Sequence, residues 1–371
     1  MSKSFYIMSK DKILIEFSCE KFSLQIHKVH DENSDIFPFF LRNGVQAEKI
    51  GSWMNSRISP IGKRLLKRIV PDERSKGPLG HLGLTLGLSL NDAYWIHDGL
   101  HTWDEVNLYE NPLNPEIAEL AFNFGVDIKQ VIGSRSPEFS SSGNMQKCWF
   151  KRGNEIFLRK RDEPDSEGVC QTTNEWFAAQ AAEAMQLSHV AYDLAYRDSL
   201  SPVCECRAFT NIDIGFEPAL TFLMARGIDP SFLRFASSSI DFHMVIQEHF
   251  GTDFYEDLMV FDSVIGNKDR HMLNFGILYD NNTGKMVRSA PIFDNGLAFD
   301  PEEQCCFFPR EEQLHYFLRP RHKEMLEAAA GMEFIQHDEV TISEAALEKS
   351  QAYVRNFAEK ALSWLSSQKN A

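Results

Sequence analysis

The stretch FDSVIGNKDRHMLNFGIL, residues 261–278, sets Asp269, Arg270, His271 and Asn274 between two apolar runs. Polar side chains this dense are costly in a core unless each finds a partner. Just upstream, Phe254, Leu258, Phe261 and Ile265 fall on one face of a helix, and Gly266-Asn267 are good stop residues. The polar cluster is therefore a loop immediately past a buried helix. Beyond it, FGILY and MVRSAPIFD read as strands joined by the turn DNNTGK. Folding at that turn brings the open ends of the hairpin together, and those ends carry Asn274 and Asp294. The sequence thus predicts that Asp269, Asn274 and Asp294 converge.

Two carboxylates and an amide oxygen suit phosphoryl transfer. A carboxylate and an amide are hard ligands for Mg²⁺, which binds through few protein groups plus nucleotide phosphates. A second carboxylate can orient an acceptor hydroxyl and take its proton. Asp269 and Asn274 have the five-residue separation of base and metal ligand in H-R-D-L-x-x-x-N, and FDNG, 293–296, has the Asp-x-Gly core of D-F-G. The bland alternative is that Asp, Asn and His are ordinary turn residues after a helix.

GNKDRHMLNFGIL followed by APIFDNG resembles the HipA-like serine/threonine kinases, including the CtkA-type branch. The resemblance implies an α+β, bilobed, protein-kinase-like fold: a small mixed β-sheet N-lobe and a mostly helical C-lobe. It implies ATP and Mg²⁺ as cofactors, Asp269 as catalytic base, and Asn274 and Asp294 as metal ligands. His271 is placed on the nucleotide side of the loop, bracing it together with Arg270 rather than doing chemistry. The resemblance also implies a protein substrate bearing Ser or Thr and an antitoxin-type protein regulator. Phosphoinositide-kinase-like enzymes share the DRHxxN grammar, so the motif identifies a superfamily better than a substrate. A small-molecule or phosphoinositide-type kinase and a non-catalytic nucleotide-binding partner stay open as alternatives.

A kinase needs a cation for the α/β-phosphates. In EIFLRKR, 155–161, Ile156, Leu158 and Lys160 share one strand face, which makes Lys160 the candidate and Leu158 a cover for the adenine ring; Lys151 is the rival. The partner glutamate is sought in TTNEWFAAQAAEAMQL, a strong helix. Glu175 fits, but it also completes a Thr172-x-x-Glu175 capping signature, and Glu183 lies on the same helix. Small residues Ser141, Ser142 and Gly143 precede the first strand and suit a phosphate-covering loop. HipA-type kinases have a Ser/Thr-Gly loop there, in which some autophosphorylate. Main-chain groups of Cys206 to Ala208, in CECRAFT, are placed at an interlobe hinge against the adenine edge. Residues 295–320, with Asp300, Cys305, Cys306 and Arg310, occupy the activation-segment position.

The 371 residues are 43% hydrophobic and 25% charged, which fits a globular chain with a substantial core. No apolar run approaches membrane-spanning length, so no membrane partner is expected. The first residues lack a signal-peptide layout. Seven cysteines without a CxxC pair favour neither zinc nor a disulfide framework, so a reduced, cytoplasmic compartment is expected. A net charge of −15 argues against direct nucleic-acid binding, the basic GKRLLKRIV being a local exception that reads as a solvated helix face. The expected division is an N-terminal elaboration over 1–130, an N-lobe over 131–212 and a C-lobe over 213–371. Within the first part, 12–29 reads as a hairpin, 45–57 and 60–70 as helices, and 80–100 as a short helix, a turn and another helix.

Overall fold

Apolar alternation near the N-terminus folds into antiparallel strands β1 (Ser4–Ser9), β2 (Lys12–Glu20) and β3 (Ser23–Val29), so the expected hairpin over 12–29 is present. The computed structural model describes residues 3–20, 23–31, 34–69, 79–123, 135–143, 145–162, 170–198, 201–235, 239–299, 314 and 316–368. Helices α1 (Ala47–Ser56) and α2 (Pro60–Ile69) match the predicted pair, with Pro60 opening the second. The short helix α3 (Leu82–Thr85) also forms.

The second helix expected in 80–100 is instead a strand, β4 (Tyr94–His97), paired with β1 in a sheet ordered β3-β2-β1-β4. The reason lies in Asp92. Its carboxylate accepts the Tyr94 N–H at 3.0 Å and is gripped by Arg57, so the chain leaves the turn extended rather than helical. Two further helices follow, α4 (Trp103–Val106) and α5 (Pro115–Phe122), the latter capped by the Asn114 side chain.

The second sheet is wholly antiparallel. Strands β5 (Gln146–Arg152) and β6 (Glu155–Arg161) form a hairpin. The helix α6 (Gln171–Ala184) then leads to β7 (Tyr192–Asp198) and β8 (Ser201–Arg207), in the order β5-β6-β8-β7. Small buried residues of α6, among them Ala178, Ala181 and Ala182, bring the helix close to the rest of the core.

Helices dominate the remainder, as expected. After β9 (Ile214–Pro218) come α7 (Ala219–Ala225), α8 (Pro230–Phe235), α9 (Ile240–Phe250) and α10 (Thr252–Ile265). The predicted hairpin is β10 (Gly276–Asp280) with β11 (Met286–Ser289), and β9 adds a third strand on the other side of β10. The chain ends with α11 (His322–Gly331) and α12 (Glu344–Gln368). Every residue from Leu258 to Ile265 is buried, so α10 is a central strut. It stops at Gly266, whose φ of 62° lies in the left-handed region.

The architecture is therefore mixed α and β. One continuous apolar core runs from Phe5 and Phe17 through Phe177 and Phe222 to Phe261 and Ala361. Among the described residues, no helix is long and apolar enough to cross a membrane.

Candidate active site

Strand alternation along β6 turns Lys160 inward with Ile156. Its Nζ donates to Glu175 Oε1 at 2.6 Å and to Asp294 Oδ1 at 2.7 Å. Three elements far apart in sequence thus meet at one ammonium. Of the two roles open to Glu175, the capping one does not form. Helix α6 begins at Gln171 behind Cys170, Thr172 lies inside it, and the Thr172 N–H and hydroxyl go to Asp162 instead. Glu175, one turn further in and fully buried, gives its second oxygen to the Asn295 N–H at 2.8 Å. The rivals are spent elsewhere. Lys151 Nζ donates to the carbonyls of Tyr109 and Asn111 at 2.7 Å, and Glu183 is exposed beside His189.

Arg270 holds the polar loop against the hairpin ends. Its buried guanidinium forms a bidentate pair with Asp262 of α10, at 2.8 and 2.9 Å. It also donates to the Asn274 and Phe293 carbonyls and to Asn295 Oδ1. This is the bracing role expected of it. Asn274 closes the loop on itself: Oδ1 accepts the His271 N–H at 2.8 Å and Nδ2 donates to the Asp269 carbonyl. An amide oxygen has two lone pairs, so Asn274 Oδ1 keeps one for a further partner. His271 is exposed, with Nε2 4.0 Å from Asp269 Oδ2. Asp294 itself sits at φ 62°, a conformation that non-glycine residues rarely adopt. The structure therefore gathers Asp269, Asn274 and Asp294 into one network with Lys160 and Glu175.

The charges separate the two aspartates. Burial works against an ionised Asp294, but Lys160 and Lys147 outweigh it and hold the carboxyl well below the usual range. Asp269, by contrast, is pushed up by burial and by the charge of Asp294, against the pull of His271. Burial also opposes the charge on Lys160, yet Asp294 and Glu175 keep it protonated. Neighbouring acids pushed in opposite directions are a recurrent sign of divided roles.

The network opens onto a cleft with a volume of about 130 Å³. Leu158, Val190 and Phe293 supply apolar walls, while Lys147, Lys160 and Asp294 make one end polar. Ser141 and Ser142 line that end and Gly143 does not. Ser141 Oγ is bonded on both sides, donating to the Pro137 carbonyl and accepting the Trp149 indole N–H. Gly143 has φ 88°, and a Cβ there would stand 2.7 Å from Lys147 Nζ. Cys206, Ala208 and Thr210 line the other end. Of the Ala208 main-chain groups, the N–H is taken, donating to the Ile156 carbonyl at 2.8 Å. Alternation along β8 instead turns the main-chain groups of Arg207 away from β6. Asp269, Asn274 and His271 stand beside the cleft rather than on the lining that includes Leu273.

Sequence reasoning missed Lys147. It pairs directly with Lys160 across β5 and β6, and its Nζ donates to the Ser142 carbonyl. Burial and the charge of Lys160 lower its pKa to about 8. The signal was in the register: two lysines facing each other on adjacent strands are destabilising unless anions lie between them. Asp300, Cys305, Cys306 and Arg310 lie outside the described residues.

The fold is similar to that of HipA. The chain is similar over 99% of its length to 99% of HipA from Shewanella oneidensis MR-1, in a structure of that toxin–antitoxin system with HipB and operator DNA. The TM-score is 0.60 and the identity 14%. The proinflammatory kinase CtkA of Helicobacter pylori is also similar, over 60% of this chain and 89% of its own, with a TM-score of 0.41 and 17% identity. The sequence matches no protein-family model and no curated protein. The likeness to HipA-like kinases expected from the motif thus holds at the level of the fold. The expected absence of nucleic-acid contact finds no support, since the HipA structure includes DNA.

Proposed function

We propose that this protein is an ATP- and Mg²⁺-dependent serine/threonine protein kinase of HipA-like type. The observation that carries the reading is the Lys160 ammonium clamped between Glu175 and Asp294 on the wall of a cleft, with Lys147 directly across the strand pair. Glu175 and Asp294 balance and fix Lys160, and Lys147 on the facing strand adds a second cation on the same wall that suits phosphate oxygens. In this reading residues 131–212 form the N-lobe, 213–371 the C-lobe, and 1–130 an elaboration on them. The compartment is the cytoplasm.

The donor set fits a nucleotide-held magnesium. Asp294 is kept ionised by its lysines, and Asn274 retains a lone pair on its amide oxygen. Among the described residues no cluster of three or more His, Cys, Asp or Glu forms a metal cage, so phosphates and water would complete the shell. When bound, Mg²⁺ neutralises charge on the transferring phosphoryl group and aligns it. Lys160 and Lys147 would hold phosphate oxygens, with Ser141 and Ser142 above them. Glu175 fixes Lys160 in place. Leu158, Val190 and Phe293 would enclose the base and exclude water. Asp269, half exposed with a raised pKa, would accept the proton of a Ser or Thr hydroxyl. Arg270 keeps Asp269 and Asn274 in register with Asp294.

HipA belongs to a toxin–antitoxin system. We carry that setting over to this chain as part of the proposal: a protein substrate, an antitoxin-type regulator and self-modification at Ser141 or Ser142. The test is incubation with γ-labelled ATP, Mg²⁺ and cell lysate, comparing the wild type with Asp269→Ala. Removal of the base is expected to abolish labelling of protein bands, a loss of about a hundredfold or more. Label found only in small molecules would favour a metabolite or lipid-headgroup kinase. Nucleotide binding with no transfer would leave a non-catalytic binding protein.

A further inference from the structure

We infer that Asn91, which belongs to the N-terminal region, reads the nucleoside part of the nucleotide at the end of the cleft away from the lysines. The inference rests on the nucleotide reading above. Ser89, Leu90 and Asn91 form part of the cleft wall, at the end shared with Ala208, Phe209 and Thr210. The main chain of this segment is fastened on every side. The Asn91 carbonyl accepts the Phe216 N–H at 2.7 Å, and its own N–H donates to Ser89 Oγ at 3.1 Å. The Leu90 carbonyl accepts the Tyr109 hydroxyl at 2.8 Å, and the same hydroxyl reaches the Asp92 carbonyl at 3.2 Å. Arg57 then locks the Asp92 carboxylate. A segment held this firmly positions its side chains well.

The Asn91 side chain is exposed at the mouth of the cleft, and its amide has no hydrogen-bond partner among the described residues. It offers a donor and an acceptor side by side without charge. That chemistry matches a ribose hydroxyl or a purine edge and does not match a phosphate, which the lysines serve at the opposite end. Arg207, the one cation among the described residues on the wall here, is engaged with Glu155 at 2.8 Å.

The test is calorimetric titration of wild-type protein and Asn91→Ala with ATP, 2′-deoxy-ATP, 3′-deoxy-ATP, inosine triphosphate and inorganic tripolyphosphate, all with Mg²⁺. Loss of one neutral hydrogen bond is expected to weaken ATP binding about three- to tenfold. Tripolyphosphate binding is expected to stay unchanged, and Asn91→Ser to recover part of the loss. The analogue that binds wild type and Asn91→Ala equally marks the group that is read. Unchanged ATP affinity in Asn91→Ala overturns the inference, as does equal weakening of ATP and tripolyphosphate. ATP weakened with no analogue equalised overturns direct contact. Wild-type protein that binds no ATP overturns the nucleotide reading itself, a different failure.

Discussion

Lys147 carries the most pH-sensitive charge at the polar end of the cleft. Its pKa is depressed to about 8, so the amine is a cation below that pH and neutral above it. An anionic ligand prefers the cation. ATP affinity should therefore be greatest below pH 8 and fall as pH rises through it, with a limiting slope of roughly tenfold per unit. Lys147→Met should bind ATP more weakly at neutral pH and lose that slope between pH 7.5 and 9.5 in calorimetric titrations. A wild-type affinity that is flat over the range would remove Lys147 from the phosphate site. At this scale the sequence was informative where the signal is local. Alternation in EIFLRKR singled out Lys160, and the D-R-H-x-x-N spacing singled out Asp269 and Asn274. Lys147 stayed hidden because its meaning depends on which residue it faces on the next strand. Glu175 was ambiguous for the converse reason: a capping signature and a buried ion-pair partner look identical until the helix start is known.

At the level of elements, the loop after α10 and the hairpin after it act as one unit because Arg270 joins them. Its side chain and that of Asp262 are 1% and 0% exposed. Removing one partner of such a pair leaves an uncompensated buried charge. Arg270→Met is therefore expected to cost about 3–5 kcal/mol in denaturant unfolding, and the double change Arg270→Met with Asp262→Leu to recover a large part of it. A cost below about 1 kcal/mol for the single change would mean that the loop is held by other contacts. The hairpin, the helix and its glycine stop were all legible, since periodicities of two and near four and the turn DNNTGK are written in adjacent residues. Three strands were not. Strand β1, SFYIMS, is too short for its period to be told until it pairs with β2 and β4. The run at β4 is buried without alternation, and what makes it a strand is the Asp92 turn together with pairing to β1, some 85 residues away. Strand β9, IGFEP, is short and carries Gly215 and Pro218, so only its partner β10 reveals it.

Across the whole molecule, the described residues between 3 and 123 are built into the body of the protein. Phe39 stacks edge-on with Tyr279 and Phe222. Lys10 pairs with Asp213, and Asn43 donates to the Met224 carbonyl. The Ser59 N–H donates to the Phe139 carbonyl, next to the serine loop, and a Cβ on Gly62 would collide with that same carbonyl. The Phe139 anchor adjoins Ser140 of the cleft wall, and the Asn91 carbonyl holds the N–H of Phe216, another wall residue, so this region cannot loosen without disturbing the cleft. The largest apolar core cluster runs from Phe5 to Leu365 and takes in residues from both parts of the chain, which predicts that the two parts unfold together. The tryptophans give a direct check. Three of the six, Trp53, Trp95 and Trp103, lie in the first 123 residues and are buried there, whereas most helix belongs to the later part. Thermal melts followed by tryptophan fluorescence and by far-ultraviolet dichroism should therefore coincide. Saturating ATP with Mg²⁺ should raise both midpoints together, by an amount set by ligand concentration over Kd. Fluorescence melting well below the dichroism, with ATP moving only the later transition, would make residues 3–123 an independent unit and uncouple them from the cleft.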